Sequence, residues 1–400
     1  MRKHKRIAIL FDGNLNDRKG QTNAILSRIQ FLKARNEFDI SVFMIQTYEP
    51  WYIRLLRHTK KYSKPDISEI DGISIRNLWF NFSLIDYILT VKLHRKSLFF
   101  PMFLSKLPTL FKDFDLISAH GYIGSIALKV KKLYGIPYCV TWHGSDIHTS
   151  PFTTPWIKKN TVQIIENADM NFCVSFDLMQ VSYKISPFGK RMVLYNGADR
   201  QKFYHYNAGV RSVLRKDFGL SENKYHIASV GGVVEIKNPM SLPFIYEKIN
   251  EKIPNIQFHL VGDGKLAENV KMKCESLGLD LRTWGNVDAE IMPKIYNMMD
   301  IIVMPSFNEG LPLTAVEALA CGTLMVGSRV GGIPEVLGED NTVPLHENFI
   351  IQLAELCISK LQNKEEVHLP EKFDWGKTVQ EESFQYSQIF SQKDHFYDEE

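Results

Sequence analysis

Cysteine is scarce in this sequence and its spacing forms no framework. The five residues, Cys139, Cys173, Cys274, Cys321 and Cys357, are odd in number and far apart. No C-x-x-C pair and no Cys/His ligand spacing occurs, so neither a disulfide scaffold nor a zinc site is expected. That usage fits a reducing cytoplasm. No apolar run reaches the length of a membrane span, so no transmembrane helix is expected. Internal repeats and low-complexity linkers are absent too. The start, MRKHKRIAILF, is basic, but its apolar part, Ile7 to Phe11, is too short for a signal-peptide core and reads as a first strand.

What remains is an ordinary globular composition. The chain has 400 residues, 44% hydrophobic and 23% charged, enough for two domains. The net charge is only +3, but it is unevenly spread. Residues 1–198 hold 28 Lys and Arg against 15 Asp and Glu, and the remainder holds 20 against 30. A basic first half suits an anionic partner or surface. Two stretches there, Trp51 to Lys64 and Leu89 to Lys112, mix Lys and Arg with aromatic and aliphatic residues. They suit an anionic bilayer surface or, equally, helices packed on a sheet with their basic residues in water. No nucleic-acid motif accompanies the charge, so nucleic acid is not expected as a partner.

The most informative stretch runs from Ile301 to Leu337. Ile301 to Met304 reads as a buried parallel strand. A polar loop follows, then a helix from about Leu311 or Pro312, since proline suits the first helical position. Gly322 stops that helix, and Thr323 to Val326 reads as the next strand. The loop therefore lies at the carboxyl end of a strand, where open parallel sheets bind ligands. Helix-start N–H groups at Gly310 and Leu311 suit an anion such as a diphosphate. Glu309 stands beside them and Glu317 eight positions on. Two carboxylates near a phosphate would favour neutral sugar hydroxyls, which donate to them. On charge and position alone, Glu309 reads equally well as a complement to the helix dipole, and Glu317 as a solvated side chain.

The pattern P-S-x-x-E-G-L-P-L-x-x-x-E-A-L-A-C-G-T, Pro305 to Thr323, resembles the signature of the family 4 retaining glycosyltransferases. GGIPE, with Gly331, Gly332 and Glu335, resembles its continuation. The resemblance implies an α/β GT-B fold: two Rossmann-like β/α/β domains facing across a cleft, with a C-terminal helix crossing back to the first domain. It implies residues 1–200 as an acceptor-binding domain, 201–372 as a nucleotide-sugar domain, and 373–400 as crossover helix and tail. Glu309 would lie near the donor's anomeric centre and Glu317 would hold the ribose.

Other motifs take their roles from the same resemblance. His120-Gly121 and Thr141-Trp142-His143-Gly144-Ser145-Asp146 fall at predicted strand ends. They resemble the family's H-G and T-x-H-G-x-D. His143 would bond the donor sugar, and His120 and Asp146 would shape the acceptor side. The family's Gly-Gly pair near the first strand is replaced by Lys19-Gly20, with Gly20 able to turn tightly. Gly285 and Val287 would offer backbone to the nucleotide base. The family's V-G-R-L-x-x-x-K-G reads here Val230 to Asn238. Lys237 matches as a diphosphate ligand, but Gly232 stands where the family has arginine, a forked donor that lysine does not mimic. Asp113-Phe114-Asp115 is a literal D-x-D, read as the start of a strand rather than a metal site.

The expected activity is therefore transfer of a sugar from a UDP- or GDP-linked donor to a glycan or lipid-linked acceptor, without a cofactor or metal. The setting would be bacterial cell-surface polysaccharide synthesis, in the cytoplasm or on the membrane's inner face. A sugar-nucleotide epimerase and a non-catalytic nucleotide-sugar-binding subunit are the alternatives.

Overall fold

The computed structural model describes residues 4–14, 20–58, 63–93, 97–363 and 366–398. The chain divides into two compact units. The first comprises Met1–Val174, Leu178–Leu194 and Gly376–Glu400; the second comprises Ser175–Asp177 and Tyr195–Trp375.

The first unit is built on eight strands: β1 (Arg6–Asp12), β2 (Asp39–Tyr48), β3 (Ile67–Ile70), β4 (Ile73–Asn81), β5 (Leu116–His120), β6 (Tyr138–Trp142), β7 (Met170–Cys173) and β8 (Arg191–Val193). Their order is β3-β4-β2-β1-β5-β6-β7-β8. Every neighbouring pair is parallel except β3 with β4. Ile7 to Phe11 of β1 are all buried, as continuous apolar runs are when a parallel sheet is covered on both faces. Helix α1 (Gly20–Ala34) presses Ile25, Ile29 and Leu32 into that core, one helical face at the expected spacing. The C-terminal helix (Trp375–Asp398) adds Val379, Tyr386 and Phe390 to the same core.

The hairpin β3–β4 lies between the two basic and aromatic stretches, Trp51 to Lys64 and Leu89 to Lys112, where no strand is read from the sequence. Asp71 and Gly72 join its strands with φ of 50° and 74°. Two left-handed residues in a two-residue turn match the twist of a hairpin, which is why Asp-Gly is favoured there. Helices of the same unit include α2 (Phe99–Lys106), α3 (Gly124–Tyr134) and α4 (Pro155–Asn167). Lys19 lies outside the described residues. Gly20 is the first residue of α1, with open space around its Cα, so it begins a helix instead of supplying a tight turn. Asp115 accepts the backbone N–H of Arg6 at 2.7 Å just before β5, which places it at the start of a strand.

The second unit has six parallel strands: β9 (Tyr225–Val230), β10 (Ile256–Val261), β11 (Leu281–Gly285), β12 (Ile301–Met304), β13 (Leu324–Ser328) and β14 (Thr342–Val343). Their order is β11-β10-β9-β12-β13-β14, the doubly wound arrangement of dinucleotide folds. Helix α5 (Leu313–Ala320) follows β12. It begins slightly later than the sequence suggests: Pro312, at φ −74° and ψ 104°, is the cap residue and not the first helical one. Gly322, at φ 71°, ends it.

Each sheet has a switch point where the loops leaving two neighbouring strands diverge. In the first unit it lies between β1 and β5, in the second between β9 and β12. Such points open a crevice at the carboxyl ends of the strands.

Candidate active site

In the second unit the loops after β9 and β12 are stitched together at the switch point. The Phe307 N–H donates to Ile236 O at 2.8 Å, and Asn238 Nδ2 to Pro305 O at 3.2 Å. Asn238 takes the left-handed conformation, φ 49°, that lets the chain turn after Lys237. This brings Lys237 Nζ into an ion pair with Glu309 Oε1. Ser306 Oγ donates to the same carboxylate oxygen at 2.9 Å. The Glu309 side chain is 10% exposed and that of Lys237 32%, so the carboxylate is largely shielded while the ammonium group's side chain stays open to solvent.

The glycine pair predicted to continue the motif has a steric reason. A Cβ on Gly331 would stand 2.0 Å from Glu309 O, and one on Gly332 would stand 2.2 Å from Gly310 O. The Gly332 N–H donates to Glu309 O at 3.0 Å. Only bare backbone can approach the Glu309-Gly310 peptide this closely, and it fixes where the carboxylate points. Gly310 and Leu311 immediately precede Pro312 and α5. No side chain caps that helix start, which leaves its first N–H groups without a side-chain acceptor.

Glu317, one turn into α5, is half-buried and accepts a 2.8 Å hydrogen bond from the Tyr296 hydroxyl. Burial pushes its carboxyl up to about 7, with the Tyr296 bond pulling in the opposite direction. Tyr296 and Ser306 are not singled out by sequence reasoning. A buried tyrosine in a helix reads as core, and a loop serine as a turn residue. Glu335 accepts N–H groups of Phe176 and Asp177 at 2.8 and 2.9 Å, and the Tyr195 hydroxyl at 2.9 Å, all within the second unit. Gly285 and Val287 lie at and beyond the end of β11, where Gly285 O accepts the Gly262 N–H at 2.8 Å.

Gly232 lies in the loop after β9. A Cβ there would meet only Val234 Cγ2, at 4.0 Å. Nothing in the surroundings requires glycine. Lys265, after β10, is ion-paired with Glu235 at 2.6 Å on the same group of loops.

In the first unit His120, the last residue of β5, and His143, just after β6, are brought together. His120 Nδ1 and His143 Nε2 are 2.8 Å apart, and the rings stack at 5.1 Å. Burial holds the His143 imidazole down to about 3, with Arg28 acting in the same direction. Burial, then His143, then Arg28 hold His120 well below its ordinary value. The pair is thus neutral near pH 7, and one ring donates to the other. The Asp146 carboxylate accepts the N–H of His143 at 3.0 Å and of Gly144 at 2.8 Å. Burial raises it to about 6 against those two bonds. Gly121, at φ 59°, leaves room for it: a Cβ there would stand 2.9 Å from Asp146 Oδ2.

Beneath the histidines lies a group that sequence reasoning misses. Arg28 of α1 is buried and pairs with Glu382 of the C-terminal helix at 2.6 Å. Tyr386 donates to Glu382 and stands 2.8 Å from Ser118 Oγ of β5. An arginine on a helix 354 residues from its partner reads as a solvated residue in the sequence.

Two doubly wound nucleotide folds, the second with a basic residue and two acids at its switch point, define the class: an α/β protein of the GT-B type. The model of glycosyl transferases group 1 matches residues 210–374, and that of Glycosyltransferase Family 4 matches residues 83–202. The chain belongs to this family and is a glycosyltransferase. It is 25% identical over 366 residues to Bacillus subtilis (strain 168) TuaC, named as a teichuronic acid biosynthesis glycosyltransferase, covering 88% of this chain and 90% of that one. It is 25% identical over 295 residues to the N-acetyl-alpha-D-glucosaminyl L-malate synthase of Bacillus anthracis, covering 72% and 75%. The crystal structure of Anabaena HepE in complex with UDP and glucose shares the fold, with a TM-score of 0.70 at 16% identity, over 95% of this chain and 99% of that one. No helix among the described residues is long and apolar enough to cross a membrane.

Proposed function

We propose that this glycosyltransferase takes a sugar from a UDP- or GDP-linked donor and passes it, with retention, to a glycan or lipid-linked acceptor in cell-surface polysaccharide synthesis. The observation that carries the reading is the Lys237–Glu309 pair beside the uncapped start of α5, with Glu317 held by Tyr296 further along the same helix. The names of the relatives point to surface glycans and glycoconjugates, and HepE was crystallised with UDP and glucose.

In this scheme the diphosphate lies against Lys237 and the α5 amides, and Glu317 accepts from the ribose diol. Glu309, released from Lys237 by the incoming phosphate, accepts from sugar hydroxyls. His143 bonds a sugar hydroxyl, while His120 and Asp146 shape the acceptor side. The bond from anomeric carbon to phosphate oxygen breaks as the acceptor oxygen bonds the same face. The acceptor's proton leaves with the nucleotide diphosphate. Lysine and helix amides neutralise the developing charge where a metal ion would otherwise do so. No cofactor takes part. The basic first half is assigned to the inner, anionic face of a membrane.

The test is calorimetric titration of UDP, GDP and their sugars into wild type and Lys237→Ala, followed by assay of nucleotide release with and without acceptor. Donor binding lost in the variant, and release that requires acceptor, supports the reading. Binding without release indicates a non-catalytic subunit, and acceptor-independent sugar conversion indicates an epimerase.

A further inference from the structure

Side chains from three neighbouring strands of the second unit form one hydrogen-bonded chain. Trp284 Nε1 of β11 stands 3.1 Å from His259 Nδ1 of β10, and His259 Nε2 stands 2.9 Å from His226 Nδ1 of β9. His226 Nε2 in turn stands 2.8 Å from the Ser221 carbonyl oxygen. Both imidazoles are fully buried. Their neighbours Ile227, Phe258 and Leu260 pack into the core on one face of the sheet, so alternation puts the histidines on the other. The ends of the chain fix every proton in it. An indole N–H only donates and a carbonyl oxygen only accepts. His259 Nδ1 must therefore accept, and its proton sits on Nε2 and goes to His226 Nδ1. The proton of His226 then sits on its own Nε2 and goes to Ser221 O. A second proton on either ring would set two N–H groups against each other.

The charged groups around the pair are Arg215 of the helix Ala208–Asp217, Asp300, Lys224, Asp280 and Arg282. They are matched among themselves: Arg215 with Asp300 at 2.8 Å and Lys224 with Asp280 at 2.7 Å. Arg282 donates to Phe218 O at 2.7 Å and lies over the Trp284 ring at 4.1 Å. Burial, then His226 and Arg282, hold His259 down to about 3, with Asp280 opposing and Arg215 assisting. Burial also lowers His226, against the Ser221 carbonyl and Asp300 and with Arg215 and Lys224. Both rings are thus neutral near pH 7, the state in which the chain is complete.

Trp284 is where this chain reaches the carboxyl end of the sheet. Leu260 pairs with Thr283 and Val261 with Gly285, so Trp284 is the extra residue of a bulge. A bulge bends its strand and re-aims a side chain. Gly285 follows at φ 62°, and its carbonyl accepts the Gly262 N–H at 2.8 Å. We infer that Trp284, His259 and His226 are positioning residues for the turn at 285–287: the imidazole chain ties the bulged tryptophan to the buried strands and so sets where the backbone of that turn lies. This rests on the reading of Gly285 and Val287 as backbone offered to the nucleotide base. Backbone that reads a base needs to be held in place by its surroundings, and here two buried rings of fixed tautomer do so.

The test is calorimetric titration of UDP, GDP and inorganic pyrophosphate into wild type and four variants. Trp284→Phe keeps an aromatic ring in the bulge and removes the N–H. It should weaken the nucleoside diphosphate by about tenfold, the order of one lost hydrogen bond, and spare pyrophosphate, which has no base. Retained pyrophosphate binding also shows that the variant is folded. His259→Leu should behave likewise. His259→Gln, whose amide both accepts and donates, should recover most of the affinity, whereas a role in packing alone would favour leucine. Histidine nitrogen NMR of the wild type near pH 7 should show both rings protonated at Nε2 only. In Trp284→Phe no donor faces His259 Nδ1, so that ring should take up its second proton at higher pH than in the wild type. Equal loss of nucleotide and pyrophosphate would overturn the inference, as would a leucine variant as good as the glutamine one or a wild-type ring protonated at Nδ1. Gly285→Ala strains the turn itself. If it weakens nucleotide while Trp284→Phe does not, the base reading stands and the inference falls. If Gly285→Ala too leaves nucleotide binding untouched, the base reading falls and takes the inference with it.

Discussion

Lys237 and Glu309, 72 residues apart in sequence, are ion-paired across the loops after β9 and β12, with Ser306 bonded to the same carboxylate oxygen. The pairing gives each residue a resting partner. A phosphate that claims Lys237 leaves Glu309 free to accept from a sugar, so the two roles are coupled. Lys237→Ala should lower transfer by about 10²-fold, the usual loss when one donor to a developing anion is removed. Glu309→Gln keeps the Ser306 bond and the packing, and should lower kcat with little change in nucleotide affinity. Steady-state transfer rates combined with UDP and GDP titrations separate the two effects. Unchanged kcat in both variants would remove these residues from the site.

Glu317 supplies a pH dependence. A carboxylate accepts two ribose hydroxyls; a protonated carboxyl does so less well. With its folded-state value at about 7, above the ordinary glutamate value of 4.5, nucleotide affinity should rise between pH 6 and 8 and then level off. Between pH 4.5 and about 7 the folded state keeps a proton that the unfolded state has released, so this group's stabilising contribution is fully present below 4.5 and is lost as pH rises through about 7. Tyr296→Phe removes a bond that favours the charged form, so the rise should move to higher pH. Glu317→Gln should flatten it. Titrating nucleotide alone avoids the Asp146 carboxyl of the first unit, itself raised to about 6. A flat wild-type profile would refute the assignment.

Much of this site is legible in the sequence, for local reasons. Ile301–Met304 is a strand because four apolar residues end at Pro305. Gly322 ends α5 because only glycine takes its φ of 71° without strain. The doubled glycine at 331 and 332 answers to the backbone of Glu309 and Gly310. The misses are non-local or involve residues that look ordinary. Tyr296 and Arg28 acquire meaning only from partners brought by the fold. The Lys237–Glu309 pair is hidden because each residue, taken by itself, reads as a contact to the ligand. The β3–β4 hairpin is a different case: its Asp71-Gly72 turn and the alternation of Ile73, Ser74, Ile75 and Arg76 are present, but the surrounding basic and aromatic residues draw the reading toward a surface.

Gly232 replaces the family's arginine at a position with room for a side chain, since its Cβ would meet only one atom, at 4.0 Å. Gly232→Arg should therefore fold normally. It adds a forked, permanently charged donor to the loop that carries Lys237. Nucleotide-sugar affinity should improve by about tenfold, equivalent to ~1.4 kcal/mol. The gain should shrink as salt is raised. Titration at low and high ionic strength measures both. A stable variant with unchanged affinity would show that the diphosphate lies away from this loop.

Arg28 and Glu382 hold the C-terminal helix to the first unit through a pair whose side chains are 2% and 1% exposed. Breaking one half strands a buried charge, which typically costs about 3–5 kcal/mol. Arg28→Met or Glu382→Gln alone should thus lower the melting midpoint strongly. The double variant Arg28→Met/Glu382→Gln leaves no charge behind, and the amide introduced in place of the Glu382 carboxylate can still bond Tyr386, so it should recover most of the loss. Two Arg28 nitrogens, Nη1 and Nη2, are buried without a hydrogen-bond partner, which adds to the reason why removing the charge altogether is tolerated. Arg28 also helps keep His120 and His143 neutral, but burial is the larger cause for both. The double variant should therefore raise both imidazole values while leaving them below the ordinary 6.5. Thermal melts report the first effect and histidine NMR titration the second. A double variant no more stable than the single ones would show that the ion pair itself, and not the stranded charge, holds the helix in place.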